Sequence, residues 1–165
     1  MRLRRKNGEF SHIEFAKQIY RLRAIASIYR IAVRQYPDAQ SEGNCTMTEN
    51  KNELREMTIE FALSISDLCD EIKGCRVYVD QIIRSSSSIG ANLFEAKYAQ
   101  SRADFVHKLE LSLKECSETE YWLALLHRKR KLSDNQFLTL NQIRGTIQRK
   151  LIASITTAKN NGAAR

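Results

Sequence analysis

Ser85-Ser86-Ser87-Ser88-Ile89-Gly90-Ala91-Asn92-Leu93-Phe94-Glu95-Ala96 is the stretch whose reading decides the fold. Four serines in a row ordinarily mark a loop. Here no proline lies near them, and apolar residues recur on both sides at spacings of three and four. Val79, Ile82, Ile83, Ser86, Ile89, Leu93 and Ala96 form one stripe of a helix over about 76–98. Strand-like alternation is absent. Mid-helix serines can bond back to the carbonyl one turn earlier and so need no outside partner. Ser86, Ser87, Ser88, Gly90, Ala91 and Ala96 leave a shallow face that a neighbouring helix can approach. Gly90 costs about 1 kcal/mol relative to alanine in a helix interior, so its presence implies close packing or a bend. Asn92 and Glu95 set polar groups beside that face. Two readings stay open: a solvated polar patch, or a buried hydrogen-bonded network between helices, tolerated only when every member is satisfied.

Working outward, three more helical patterns follow. Leu54, Met57, Phe61, Ile65, Leu68, Cys69 and Ile72 predict a helix over about 51–73, with Gly74 as its stop. Ser101 is a good N-cap, and Asp104 three residues on favours a helix N-terminus. That third helix runs to about 128, with Phe105, Leu109, Ser112, Leu113, Cys116, Thr119, Leu123 and Leu126 on one side. A second, mixed stripe carries Lys108, Leu111, Glu115, Glu118, Trp122 and Leu125. A helix with two such sides is either central in its own fold or shared with another subunit. In a four-helix bundle one inward face suffices, so the second stripe points to a shared subunit face; the plainer alternative is that Trp122 and Leu125 pack under a loop. Ser133 and Gln136 make a capping box that opens a fourth helix to about 157. Phe137, Leu140, Ile143, Ile147, Leu151 and Ile155 face inward in it, and Arg144, Arg149 and Lys150 outward. The expected fold is all-α: an antiparallel up-down-up-down four-helix bundle over 47–159, followed by a frayed tail over 160–165.

Composition agrees. One proline and six glycines in 165 residues permit long helices and argue against a turn-rich β fold, and 42% hydrophobic content suffices for one core. No run of about 18 apolar residues predicts a membrane span, and no apolar segment follows the basic N-terminus as a secretion signal would require. Cytoplasmic localisation with reduced thiols is the resulting expectation. Cys45, Cys69, Cys75 and Cys116 are far apart and lack histidines at zinc spacing, so they read as core filler.

Formal net charge is +8, of which residues 1–46 carry +5 and residues 47–165 carry +3. The first segment opens with Arg2, Arg4, Arg5 and Lys6, shows a helical pattern over about 12–35, and breaks at Tyr36-Pro37-Asp38. Three readings compete for this basic N-terminal extension: a helix that binds nucleic acid or a membrane surface, an extra packing helix, or upstream sequence before a true start at Met47.

Catalytic signatures are missing. There is no phosphate loop, dinucleotide fingerprint or HExxH motif. Di-iron bundles need two Glu-x-x-His pairs on facing helices, which His12, His107 and His127 do not supply. No enzyme activity, cofactor or metal is expected. The turn His127-Arg128-Lys129-Arg130-Lys131 has two explanations: cations at a helix C-terminus favour the macrodipole, and a run of five basic-capable residues makes a phosphate-binding patch.

Three blocks carry a resemblance: Ser87 to Ala96, Ser101 to Leu109, and Leu113-Lys114-Glu115-Cys116-Ser117-Glu118-Thr119-Glu120-Tyr121-Trp122-Leu123-Ala124-Leu125-Leu126. They resemble the bacterial "four helix bundle protein" family, encoded in intervening sequences of 23S rRNA genes or elsewhere. The resemblance covers about 50–157. It implies an antiparallel bundle and a ring-forming homopentamer. The accessory protein of diversity-generating retroelements, which has a basic surface and works with nucleic acid, is similar in fold. Asn92, Glu95, Lys108, Lys114, Glu115, Glu118, Tyr121 and Trp122 match the family pattern and read as structural or interfacial, with Glu115 and Glu118 pairing with Lys108 or Lys114 within or between subunits. The expected role is a non-enzymatic oligomeric scaffold or adaptor with no membrane partner. The alternative is a nucleic-acid-binding accessory protein that contacts RNA or DNA through Arg128, Lys129, Arg130, Lys131, Arg144, Arg149 and Lys150. A protein partner is the other candidate.

Overall fold

The computed structural model describes residues 47–163, with side chains over 53–160. Expectations for residues 1–46 lie outside the described residues. Four helices make up the rest: α1 (Met47–Glu71), α2 (Arg76–Glu95), α3 (Arg102–Arg128) and α4 (Asp134–Ala163). A single 3-10 turn, Ala96–Tyr98, prolongs α2. No strand occurs among the described residues.

Local chemistry sets the boundaries. Between α1 and α2 the chain reverses through Gly74 at φ +77° and Cys75 at φ +60°. Glycine adopts that left-handed conformation without a Cβ clash; Cys75 adopts it as an ordinary L residue. α3 opens where Ser101, in extended backbone, accepts a hydrogen bond from the Asp104 amide at 3.1 Å. The Asp104 carboxylate accepts in turn from the Gln100 amide. α3 closes with the Lys131 amide bonded to the Leu126 carbonyl and the Arg130 amide to that of His127. Arg130 takes the left-handed place, φ +56°, that glycine ordinarily fills in such a cap. α4 opens on the expected reciprocal box: the Gln136 amide donates to Ser133 Oγ, and Gln136 Oε1 accepts from the Ser133 amide.

The apolar stripes meet inside. Phe61 and Ile65 from α1, Ile82 and Ile89 from α2, Leu109, Cys116, Leu123 and Leu126 from α3, and Ile147 and Leu151 from α4 are closed to solvent. Burying one such side chain contributes roughly 1.5–3 kcal/mol. α3 packs extensively on both α2 and α4, and α1 on α2, whereas α1 touches α4 far less. Residue numbers rise along one helix as they fall along its neighbour. Arg84 meets Glu118 while Glu95 meets Lys108, and Cys116 meets Arg144 while Glu110 meets Lys159.

The serine run divides between the two open readings. Ser85 and Ser86 are buried and Ser87 is exposed. Their hydroxyls lie within 3.3 Å of the Ile82 and Ile83 carbonyls of the turn before. Ser85 and Thr119 hydroxyls lie 2.9 Å apart, and Thr119 donates to the Glu115 carbonyl at 2.8 Å. The two hydroxyls thus bond α2 to α3 across the seam. Ser112 donates to the Ile89 carbonyl at 2.7 Å. On the other side of α2, Gly90 lets α1 approach: a Cβ there would stand 3.1 Å from Thr58 Oγ1.

Candidate interaction site

Of the second α3 stripe, Lys108, Glu115, Glu118 and Trp122 stand against α2. Arg84 of α2 forms an ion pair with Glu118 and lies 3.8 Å from Glu115. The Trp122 indole donates to Glu118 at 3.1 Å. Tyr78 stacks on Trp122 with centroids 5.9 Å apart, and Tyr121 meets Trp122 edge-on at 4.9 Å. The Lys129 ammonium lies 5.3 Å from the centre of the Tyr78 ring, a favourable cation–π geometry. Lys108, Glu115, Glu118 and Trp122 of that stripe thus have partners on a neighbouring helix of their own chain. Periodicity reveals that α3 has two faces, not which helix lies beside each.

The two carboxylates differ in environment. Hydrogen bonds from Trp122 and from Arg84 hold Glu118 below the usual carboxylate range. Burial, and then the Glu118 charge, push Glu115 up, against the pull of Arg84. Its Oε2 is buried without a hydrogen-bond partner. Within the chain neither carboxylate pairs with Lys108 or Lys114: Arg84 takes that place. Lys108 bonds to Glu95 at 2.6 Å, which raises its own pKa, and Lys114 is exposed. Asn92 donates to the Ser88 carbonyl one turn back on its own helix.

The seven basic candidates do not form one surface. Arg128, Lys129, Arg130 and Lys131 are exposed at the end of α3 and in the α3–α4 turn. Arg149 is exposed on α4, bonded to Thr146. Lys150 lies 3.2 Å from Glu53 of α1, half-buried. Arg144 departs from its expected outward position, at 5% exposure. Asn141 and Gln148, one turn to either side, hold its guanidinium at 2.8 Å each, and Glu120 of α3 pairs with it at 3.1 Å. A planar group satisfied on several edges can be buried. Sequence reasoning missed Arg84. As the lone cation before the serine run, it carried no signal until α3 lay beside it.

Burial pushes the Cys69 and Cys116 thiols up to about 11, far from the thiolate that ligation or nucleophilic attack requires. Among the described residues no helix is long and apolar enough to cross a membrane, and no three metal-ligating side chains come together.

Comparison with known proteins follows the fold. No functionally curated protein matches the chain. A solved structure from Bacteroides thetaiotaomicron, described as a protein of unknown function from the S23 ribosomal protein family, is 41% identical. The match covers 65% of this chain and 98% of that one, with a TM-score of 0.62. The family model described as 23S rRNA-intervening sequence protein matches residues 50–153. Those residues run from the first turn of α1 into the second half of α4 and make up more than half of the chain, so the chain belongs to the family of 23S rRNA-intervening sequence proteins.

Proposed function

We propose that the protein is a non-enzymatic, cytoplasmic scaffold or adaptor that works as a homo-oligomer, a ring near five copies, built from up-down-up-down bundles. The opposed residue numbering along neighbouring helices supports that connectivity. The observation that carries the oligomer is the apolar outer side of α1 and α2. Leu63 is 54% exposed, and Ile59, Ile83 and Phe94 are exposed with it. Arg55 over the Phe94 ring and Thr58 against Gly90 bring these outer faces together. An apolar surface shared by two helices favours burial against another copy. Light scattering on the purified chain is the test. We expect a mass near five subunits that falls when Leu63→Lys is introduced; a monomeric parent would remove the reading.

A second reading, binding of nucleic acid, draws support from the exposed cations Arg128, Lys129, Arg130 and Lys131. Arg144 and Lys150 have carboxylates of their own chain beside them and contribute little to it.

A further inference from the structure

The two turns at one end of the bundle both carry cations, and folding brings them together. Lys73 lies in the α1–α2 turn, Arg128 ends α3, and Lys129, Arg130 and Lys131 lie in the α3–α4 turn. The Lys131 ammonium donates to the Lys73 carbonyl at 2.8 Å, between residues 58 apart in the chain. All five are exposed. Two of the nearby acids have other partners: Asp134 is hydrogen-bonded to His127 at 2.8 Å, and Asp80 pairs with Arg76 at 3.7 Å. Asp70 and Glu71, on the last turn of α1, offset part of the positive charge.

Two cations are held in place without being used up. Lys129 rests over Tyr78 and Lys131 on the Lys73 carbonyl, yet an ammonium has three donors. The guanidinium groups of Arg128 and Arg130 make no hydrogen bond or ion pair with the described residues. Arg130 also sits at φ +56°, where glycine would close the helix more easily. A helix stop alone has no need of arginine there.

We propose that this paired-turn end docks the phosphodiester backbone of a polynucleotide. The proposal rests on the nucleic-acid reading above and gives it a location. Five outward cations on two adjoining turns suit a partner with closely repeated charge, one per phosphate, and the arginine fork matches phosphate oxygens.

The test uses the full chain and two labelled probes, an oligouridylate and the matching oligothymidylate, with affinity followed against salt. On a single strand, each phosphate that a variant no longer neutralises should reduce the log–log slope by about 0.7. Lys73→Gln/Arg128→Gln/Arg130→Asn should reduce it by about 2 and weaken binding at low salt by about tenfold or more. Asparagine at position 130 tolerates the left-handed backbone. Arg102→Gln, at the other end of α3 and about 40 Å away, should leave the slope unchanged. Equal weakening with both probes places recognition in the backbone; a larger effect with oligouridylate assigns the end to RNA. If the triple variant melts early, Arg128→Gln/Arg130→Asn gives the same comparison with about 1.4 off the slope. A variant with the parent's slope overturns the site while polynucleotide binding stands. A parent that binds neither probe removes both. Competition by polyglutamate as strong as by unlabelled oligonucleotide overturns phosphate recognition.

Discussion

Gly90, on the side of α2 that faces α1, and Glu115 of α3, beside Arg84 on another side of α2, make opposite predictions. Alanine in place of a helical glycine ordinarily gains about 1 kcal/mol. At Gly90 the new Cβ would press on Thr58, whose hydroxyl lies 3.1 Å from that point and is bonded to the Arg55 carbonyl. Gly90→Ala should therefore lose about 1 kcal/mol rather than gain it. Combined with Thr58→Ala, it should cost less than the two single changes added together, as a double-mutant cycle of denaturant melts would read. Glu115 is raised by burial, so folding disfavours its ionised form. Its contribution is favourable at low pH and is lost as pH rises through the raised value. Glu115→Gln should be more stable than the parent at pH 7, by up to about 1 kcal/mol. The two melting curves should converge below about pH 4, where the carboxyl is protonated in both states. A variant less stable at pH 7 would mean that Arg84, 3.8 Å away, outweighs burial. Residue-scale detail of this kind was partly legible in the sequence. Gly90 announced a close approach without naming Thr58. Arg144 gave the wrong direction, because Asn141 and Gln148 hold its guanidinium inside.

At the scale of the element, structure is most legible in the sequence where the physics is local. Ser101 with Asp104, and Ser133 with Gln136, bond as their spacing implies, since a cap needs only residues three apart. Removing the side-chain oxygen at Ser101 by Ser101→Ala should cost about 1 kcal/mol, seen as a melting temperature lower by a few degrees. α3 packs on both α2 and α4, so that loss should appear in the cooperative transition of the whole bundle rather than as fraying of one helix. Less legible was the partner of each helix face. The mixed stripe of Glu115, Glu118 and Trp122 meets Arg84 and Tyr78, a pairing between segments too far apart for periodicity to register.

For the whole molecule, burial predicts chemistry. Cys69 and Cys116 are buried with thiols raised to about 11. A thiol reagent at pH 8 should modify them only as fast as the bundle opens, whereas half-buried Cys75 should react ahead of them. Mass spectrometry of the labelled peptides reads the order; prompt labelling of Cys116 would mean that the α3–α4 seam opens freely. Among the described residues the all-helical, four-helix architecture was legible because four long stripes admit few other packings. The function was not, because no side chain in those stripes announces a reaction.

The seams between helices are unequal, and α1 has the slack one. It packs on α2 but touches α4 sparingly, with the Lys150–Glu53 ion pair across that gap. Opening free energy is therefore graded across the bundle rather than uniform. Amide protons of α1 should exchange with solvent water well before those of α2 and α3. The three remaining helices would persist as a partly unfolded but cohesive intermediate, the species from which proteolysis and exchange of segments between copies would begin.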